Sequence, residues 1–458
     1  MHLITDPKRH FSRTSSAAIP LHLMTSKQFS AKKSDLDKST IAWASANGFK
    51  AGSGQSCTIP GKDGKIGQVL FGLGSGTGER KAFAHAKLAR TLPAGKYTIQ
   101  GDRADPASDQ LAWALGGYSF DRYRDRKHAT PTLSGKLDAD ALRIAEGVFF
   151  TRDLINTPAS DMGPDALEAA FRKLAKAHSA RVKVIKGDNL LKQNFPMVHA
   201  VGRASEQAPR VLDLVWGKAS HRKVTLVGKG VTFDTGGLNI KPGSSMALMK
   251  KDMGGAANVM GLAHMIMDAN LPVRLRVIIG AVENAISGNA FRPGDILQTR
   301  KGITVEIGNT DAEGRLVLGD CLALGDEDKP DLMVDMATLT GAARVALGPE
   351  LAPFYTNDDA LAASLEEAAA RVSDPLWRMP LWAPYQTMLS SKVANVNHIS
   401  SGGFGGSITA ALFLSRFVSK DTNWAHFDIY GWVPSDKPWA TTGGEAQGIR
   451  ALYDVLKN

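Results

Sequence analysis

Cysteine is scarce in this chain of 458 residues, which carries only Cys57 and Cys321. Two cysteines so far apart in sequence exclude a disulfide framework and fit a reducing compartment. Cys321 falls inside an apolar helical pattern, which is typical of a small core residue rather than of a nucleophile. The chain also lacks a run of 18 consecutive apolar residues, so the sequence predicts no membrane-spanning helix.

The first 20 residues lack the continuous apolar segment of a secretory signal, although they include Lys8, Arg9 and Arg13. Asp6 and the absence of a clear amphipathic pattern argue against an organelle presequence as well. We therefore expect a cytoplasmic protein.

Acidic residues are fewer than basic ones, 45 against 55, which gives a formal net charge of +10. Such a balance can favour nucleic acid or acidic surfaces. The densest basic stretch, residues 121–128, is interleaved with aspartates and predicts a solvated surface loop. DNA binding therefore stays open as an alternative.

The order of predicted elements indicates an α/β protein in three parts. Apolar residues recur at helical spacing between Leu137 and Ile155, and Pro158 follows, so a linker helix is expected within residues 136–158. Residues 1–135 are expected to form a small α/β domain, and residues 159–458 a larger catalytic α/β domain with a central, mostly parallel twisted sheet. The elements predicted in the larger domain are helices 165–178 and 254–268 and strands 181–186, 210–216, 223–228, 273–282, 303–308 and 331–338.

The amino-terminal domain gives weaker signals. Residues 68–71 predict a strand, and the glycine-rich residues 73–78 predict a flexible connection into a helix at 79–92. The glycines resemble a phosphate-binding loop but lack its Lys-Ser/Thr ending, so we do not assign a nucleotide site.

Two carboxylates stand at the predicted start of a helix in residues 309–316. Asp311 and Glu313 are two residues apart, and Arg315 precedes the apolar run that begins with Leu316. The positive end of a helix favours anions at this position. An acidic cap on an ordinary helix would give the same local pattern.

A second polar segment, residues 228–237, follows the β-branched run 224–227. Its glycines indicate a loop at the carboxyl end of a sheet strand, where binding sites of α/β proteins commonly lie. Lys241 and Asp252 come next, and the small residues 254–257 suit a helix packed closely on its sheet.

Taken together, these segments supply an unusual density of charge. Converging carboxylates would repel each other and shift each other's pKa values, whereas two divalent cations about 3.5–4 Å apart would neutralise them and form a hydrolytic site. Histidine is absent from the cluster, which argues against a metallophosphatase. The candidate residues are Lys229, Asp234, Lys241, Asp252, Asp311, Glu313 and Arg315.

The same segments resemble the leucyl aminopeptidase (cytosol aminopeptidase) family of dinuclear metallopeptidases. Residues 228–237, 249–257 and 309–318 match its three site segments, and residues 337–342 match the strand and loop that follow. The resemblance covers about residues 150–458, whereas residues 1–150 show no matching motif.

The resemblance implies a metal-dependent aminopeptidase that hydrolyses the N-terminal peptide bond of peptides with a free N-terminus through a water activated by two metal ions. Manganese or zinc is expected, with magnesium and cobalt also compatible with the ligands. It further implies a homohexamer. By position, Lys229 and Asp252 would bind one ion, Asp311 the other, Asp234 and Glu313 would bridge, Lys241 would stabilise the oxyanion, and Arg315 would hold a bicarbonate as general base.

Substrate contacts are implied for Met249, Thr338, Gly341 and Tyr430. Met249 has an alternative role as a core residue. Tyr430 departs from the leucine-preferring members, which carry a small residue there. It would reduce the volume of the pocket or supply a hydroxyl donor, so large N-terminal residues such as phenylalanine or leucine would lose ground to smaller or polar ones unless Tyr430 turns away into the fold. The competing interpretation is a DNA-binding or scaffold protein with an incidental peptidase site, because some family members also bind DNA.

Overall fold

The computed structural model describes residues 5–31, 36–77, 81–101, 105–124 and 130–458. These residues form two compact units. The first contains the described residues up to Phe149 together with Ser435–Thr442, and the second contains Phe150–Pro434 and Gly443–Asn458. The chain passes from one unit to the other within a single helix, whereas the sequence places domain boundaries at residues 135 and 158.

The described part of the first unit contains a six-stranded sheet in the order β1-β6-β5-β2-β4-β3, parallel except for the β3–β4 pair. Buried Leu21, Val69 and Trp113 belong to its core. The elements are β1 Phe11–Ser12, β2 Ile19–Met24, α1 Ser26–Ala31, α2 Lys38–Ala46, β3 Ser56–Pro60, β4 Ile66–Gly72, α3 Leu88–Thr91, β5 Lys96–Gln100, α4 Pro106–Gly117, β6 Thr132–Ser134 and, continuing into the second unit, α5 Ala139–Asn156, with 3₁₀ helices at Pro7–His10 and Lys81–Lys87.

The second unit alternates strands and helices, as the sequence predicts. The strands are β7 Arg181–Lys186, β8 Arg210–Trp216, β9 Arg222–Asp234, β10 Val273–Asn284, β11 Ile296–Gln298, β12 Thr304–Glu306, β13 Leu332–Ala337, β14 Ala352–Tyr355, β15 Leu376–Arg378, β16 Val396–Asn397, β17 Trp424–Asp428, β18 Trp432–Val433 and β19 Gly443–Gly444. The helices are α6 Pro164–Ala177, α7 Asn189–Lys192, α8 Pro196–Gly202, α9 Gly243–Met246, α10 Gly254–Asp268, α11 Gly314–Asp326, α12 Gly341–Leu347, α13 Asp359–Arg371, α14 Gly406–Ser415 and α15 Ile449–Lys457, with 3₁₀ helices at Met249–Met253, Thr310–Ala312 and Ala383–Leu389.

The central sheet of the second unit has eight strands in the order β15-β14-β17-β13-β9-β10-β8-β7. Its middle strands β17, β13, β9 and β10 are mutually parallel, and antiparallel pairs occur toward the edges. Strand β9 is buried from residue 224 to 231, which explains its β-branched and glycine-rich composition. The predicted α/β class and the mostly parallel central sheet are confirmed.

Two predictions of local structure are wrong. The helix expected at 79–92 is a 3₁₀ helix, Lys81–Lys87, followed by the four-residue α3, with Glu79 outside the described residues. The strand expected to end at residue 228 continues as β9 to Asp234, because β10 pairs with it along that length. Residues 228–234 are therefore strand rather than loop.

The glycines in that segment serve close packing instead of loop freedom. A Cβ on Gly228 would lie 2.7 Å from Ala256 Cα in α10, and one on Gly230 would lie 2.7 Å from the carbonyl oxygen of Gly280 in β10. Both distances are too short for a side chain, so the helix and strands approach each other only where Cβ is missing.

Two further features concern the surface. In the basic stretch, residues 122–124 are exposed in a turn as predicted, while residues 125–129 lie outside the described residues. No helix in the described part of the chain combines the length and the apolar character needed to cross a membrane.

Candidate active site

The carboxyl ends of the parallel strands β17, β13, β9 and β10 share one edge of the central sheet, where polar residues collect. Asp428, Asp234 and Asn284 are the last residues of β17, β9 and β10, and Thr338 follows β13 directly. The 3₁₀ helices Met249–Met253 and Thr310–Ala312 add Asp252 and Asp311.

Lys229 lies at the centre of the buried part of the site. Its Nζ is 2.8 Å from Asp252 Oδ2 and 3.0 Å from Glu313 Oε1, and it donates a hydrogen bond to the carbonyl oxygen of Thr338 at 3.0 Å. The side chains of Lys229, Asp252 and Glu313 are each less than 5% exposed. The strand, the 3₁₀ helix and the start of α11 thus meet at one ammonium group.

Lys241 performs the same bridging on the more open side. Its Nζ is 2.8 Å from Asp234 Oδ2 and also pairs with Asp311. The Asp311 side chain is 32% exposed, whereas Asp234 is buried and accepts hydrogen bonds from Asn284 Nδ2 and from the backbone N–H of Gly236, both at 2.8 Å. All five predicted ligands and Lys241 are therefore brought together.

The geometry of the carboxylates fits divalent cations. Asp234, Asp252 and Glu313 each offer an oxygen within 4.8 Å of the others. Asp252 Oδ2, Asp311 Oδ1 and Glu313 Oε1 are buried and, among the described residues, receive no hydrogen bond of acceptable geometry, although lysine nitrogens are near them. Carboxylate oxygens that have only lysine ammonium groups near them are the kind of ligand that hard or borderline metal ions bind.

The electrostatics of the site show the same excess of negative charge. Burial and the neighbouring Asp234 raise the pKa of Glu313 to about 8, despite the opposing effect of Lys229. Burial acts to lower the pKa of Lys229, but Asp252 and Glu313 outweigh it and raise that pKa above its ordinary value. The pKa of Lys241 is raised in the same way, chiefly by Asp234.

Arg315 lies in the first turn of α11, 8% exposed. Its Nη1 donates to the carbonyl oxygen of His398 at 2.7 Å, while Nε is buried without a partner among the described residues. Burial lowers the pKa of Arg315 to about 10, so the group remains charged at neutral pH. The guanidinium is fixed in direction and has a free N–H donor.

The four residues predicted to contact substrate are placed differently. Thr338 is part of the site, because its Oγ1 donates to Asp252 Oδ1 at 2.9 Å. Met249 is half-buried in the same 3₁₀ helix as Asp252, and Gly341 is exposed at the start of α12. Tyr430 is half-buried and follows β17. Its neighbour in sequence, Gly431, lies next to the side chain of Thr338.

Three residues that support the site were not predicted. Asn284 holds Asp234, and its position at the end of a predicted strand was a usable signal. His398 Nδ1 accepts a hydrogen bond from the backbone N–H of Gly308, its Nε2 lies 2.9 Å from the carbonyl oxygen of Asn309, and burial lowers its pKa to about 3, so it is neutral. Asp428 accepts hydrogen bonds from the backbone N–H groups of Leu339 and Thr340.

The arrangement of these side chains defines a class of protein. A buried carboxylate and lysine cluster at the carboxyl edge of a parallel sheet is typical of α/β hydrolytic enzymes that use metal ions. Sequence families agree: residues 149–453 match the Cytosol aminopeptidase family, catalytic domain, and residues 19–134 match the M17 aminopeptidase, N-terminal domain.

The chain belongs to the cytosol aminopeptidase family, and it is therefore an aminopeptidase, a hydrolase that acts on peptides. A protein of Sinorhizobium medicae (strain WSM419) described as "Probable cytosol aminopeptidase" is 40% identical over 405 residues, covering 83% of this chain and 80% of that protein. The family predicted from the site segments is confirmed.

Solved structures extend the likeness over nearly the whole chain. Cytosol aminopeptidase from Coxiella burnetii has a TM-score of 0.93 at 43% identity, covering 98% of this chain and 99% of that one. The bottromycin maturation enzyme BotP in complex with Mn has a TM-score of 0.86 at 32% identity, covering 96% and 99%.

Proposed function

We propose that this aminopeptidase removes N-terminal residues from peptides with two divalent metal ions, manganese or zinc, at the carboxylate cluster. The observation that carries the proposal is the buried cluster of carboxylate oxygens on Asp234, Asp252 and Glu313, which lie within 4.8 Å of one another. Lys229 and Asp252 would hold one ion, Asp311 the other, and Asp234 and Glu313 would bridge them.

When bound, the ions would supply Lewis-acid activation of the scissile carbonyl and of a water molecule, and an anchor for the substrate's free amine. Lys241 would stabilise the oxyanion, since its ammonium group lies at the open side of the cluster, next to Asp234 and Asp311. Thr338 keeps Asp252 oriented through its hydroxyl group.

Arg315 would bind a bicarbonate ion that acts as the general base. The support is its buried Nε, which lacks a partner among the described residues, and the His398 carbonyl oxygen that fixes the other side of the guanidinium. A planar bicarbonate offers oxygens to an arginine in the manner of a carboxylate. The absence of a histidine from the predicted ligand set agrees with a base that is not a side chain.

We also propose that the enzyme acts in the cytoplasm, because its relatives are described as cytosol aminopeptidases and because both cysteines are buried free thiols.

The test is metal content measured together with turnover. Chelation should abolish release of leucine from leucyl p-nitroanilide, and manganese or zinc should restore it. Asp252→Asn should hold fewer than two ions per chain and lose activity, while the control Asp188→Asn, whose side chain is 92% exposed, should match the unsubstituted protein. Full activity in a metal-free preparation would contradict the proposal.

A further inference from the structure

Two cations flank the ring of Tyr430. The Nζ of Lys251 lies 4.7 Å from the ring centroid, and the guanidinium carbon of Arg344, in α12, lies 5.3 Å from it. Lys251 is only 6% exposed, whereas Arg344 is exposed and Tyr430 is half-buried. A ring that is contacted by two cations gains cation–π attraction from each of them, but it cannot neutralise their charge.

Neither cation has an anionic partner in the part of the chain that the structure describes. Within the described residues, Lys251 Nζ, the Arg344 guanidinium and the Tyr430 hydroxyl form no ion pair and no side-chain hydrogen bond. Lys250 contrasts with them: its ammonium lies 5.6 Å from the ring centroid of Trp432 and donates to the carbonyl oxygen of Asn156 at 2.8 Å. Lys251, Arg344 and Tyr430 thus bring three unpartnered donor groups together, and we name these three residues the donor cluster.

The two carboxylates whose negative charge attracts Lys251 already have other partners. Asp252 pairs with Lys229 and accepts a hydrogen bond from Thr338. Asp428 accepts four hydrogen bonds, from the N–H groups of Leu339 and Thr340 and from the hydroxyl groups of Thr340 and Ser407. A buried ammonium group without a partner is unfavourable, so an incoming anion would gain free energy at this place.

The donor cluster adjoins the carboxylate site. Lys251 directly precedes Asp252 in the 3₁₀ helix Met249–Met253. On the other side, the position of a Cβ on Gly431, the neighbour of Tyr430, is 3.2 Å from Thr338 Cγ2, and the Thr338 hydroxyl is bonded to Asp252. The two groups of side chains are thus adjacent in sequence on the first path and separated only by Gly431 on the second.

We propose that Lys251, Arg344 and Tyr430 bind a carboxylate of the peptide substrate, which makes the enzyme selective for anionic substrates. An ammonium, a guanidinium and a hydroxyl together supply donors to both oxygens of a carboxylate. The inference rests on the proposed aminopeptidase function of the adjoining carboxylate site. It goes beyond the preference for smaller or polar N-terminal residues that the sequence predicts for Tyr430, because it requires a negative charge on the substrate.

Two carboxylates of a short peptide have this chemistry: the side chain of an N-terminal glutamate or aspartate, and the C-terminal carboxylate of a dipeptide. The first is tested with glutamyl and glutaminyl p-nitroanilide, which differ by one charge and have no C-terminal carboxylate. The second is tested with Leu-Leu and Leu-Leu amide. In each pair the quantity compared is the ratio of kcat/KM for the charged to the neutral substrate.

The variants are Lys251→Met and Arg344→Gln, with Arg222→Gln as the matched control. Arg222 is exposed at the opposite end of β9, so its replacement removes one positive charge far from the donor cluster. For one of the two pairs the ratio should exceed one and should fall about tenfold to hundredfold in both test variants, the scale of a charge-assisted hydrogen bond. Arg222→Gln should leave it unchanged.

A binding measurement separates this inference from the proposed function. Calorimetric titration gives the affinity for free glutamate and for free glutamine, which are not hydrolysed. The affinities for Leu-Leu and for its amide are measured in metal-free protein, so that selectivity is again determined without turnover. Loss of turnover on all substrates with selective binding retained would count against the function alone. The inference would be overturned if the kcat/KM ratios and the affinities were the same in Arg344→Gln, Lys251→Met and the control. Because Arg344 is exposed, its variant gives this answer even if the buried Lys251 cannot be replaced without unfolding.

Discussion

At the scale of single residues, the site depends on lysines that neutralise carboxylates. Lys229 projects from the interior of a strand, and its Nζ contacts Asp252 and Glu313. Lys241 contacts Asp234 and Asp311 from a loop. The first lysine is almost fully buried and the second is partly accessible, so they are suited to different tasks. Lys229 would bind an ion through its neutral amine, because a nearby dication disfavours the ammonium form, and Lys241 would meet a substrate.

Replacement of Lys241 or Arg315 by alanine should lower kcat by about 10²–10³-fold, the effect of losing a preorganised group that stabilises the transition state. Neither is a proposed ligand, so metal content should be kept. The check is elemental analysis beside single-turnover kinetics of each variant. If the metal is lost together with the rate, these residues maintain the site instead of acting in the reaction.

At the scale of elements, close packing of α10 on the sheet positions Asp252, which lies just before that helix. A Cβ on Gly255 would overlap the carbonyl oxygen of Met336 in β13, and one on Gly228 would press against Ala256. The helix can approach the strands only because these positions carry no side chain. Packing here therefore determines where a proposed metal ligand is placed.

Gly255→Ala should destabilise the fold by about 1–3 kcal/mol or more, because the added methyl group must displace backbone. Chemical unfolding followed by circular dichroism measures the change. Gly288→Ala is the control, since the Cβ position there has no atom within 4 Å. Equal free energies of unfolding for the two variants would show that α10 adjusts without cost.

The adjacent strands β13 and β17 carry a buried ion pair. His426 Nδ1 is 2.6 Å from Asp335 Oδ1, and neither side chain is exposed. Burial acts to lower the pKa of His426, but attraction to Asp335 and Asp428 outweighs burial and the repulsion from Arg315, and raises it above 6.5. Between pH 6.5 and the higher pKa of the folded state, His426 therefore keeps a proton that the unfolded chain has released.

The stability that this pair contributes should be fully present below pH 6.5 and should decline as the pH rises toward the folded pKa, because the folded state then binds more protons than the unfolded state. The double variant D335N/H426N removes both ionisable groups. The difference in free energy of unfolding between the parent and this variant should shrink from pH 6 to pH 9. A difference that stays constant over that range would refute the assignment.

At the scale of the whole molecule, each of the two units has its own sheet, and the carboxylate site lies entirely within the second. Several large apolar side chains of this unit are exposed, including Val345 at 82% and Trp377 at 55%.

We expect a homohexamer, as the family resemblance implies. Light scattering coupled to size exclusion should give about six times the chain mass of 48.9 kDa at assay concentrations. A stable monomer under the same conditions would rule this assembly out.

The sequence by itself determined which residues are proposed for the site, because the charged residues are grouped in short segments that resemble the site segments of the family. Asp311, Glu313 and Arg315 were recognisable at the start of a helix, and Asp252 was recognisable before a run of small residues. The α/β class followed from alternating patterns for the same reason. The identity of the proposed ligands needed no coordinates.

Only the tertiary structure decided which of these groups meet, since the contacts join positions far apart in sequence. Lys229 Nζ binds the carbonyl oxygen of Thr338 across 109 residues, and Arg315 binds that of His398 across 83. Backbone carbonyls carry no sequence signal, so neither contact was predictable. The contacts of Tyr430 with Lys251 and Arg344 have the same origin. The three residues lie in separate segments of the chain, and their donor groups come together only because the strands of the sheet end at one edge.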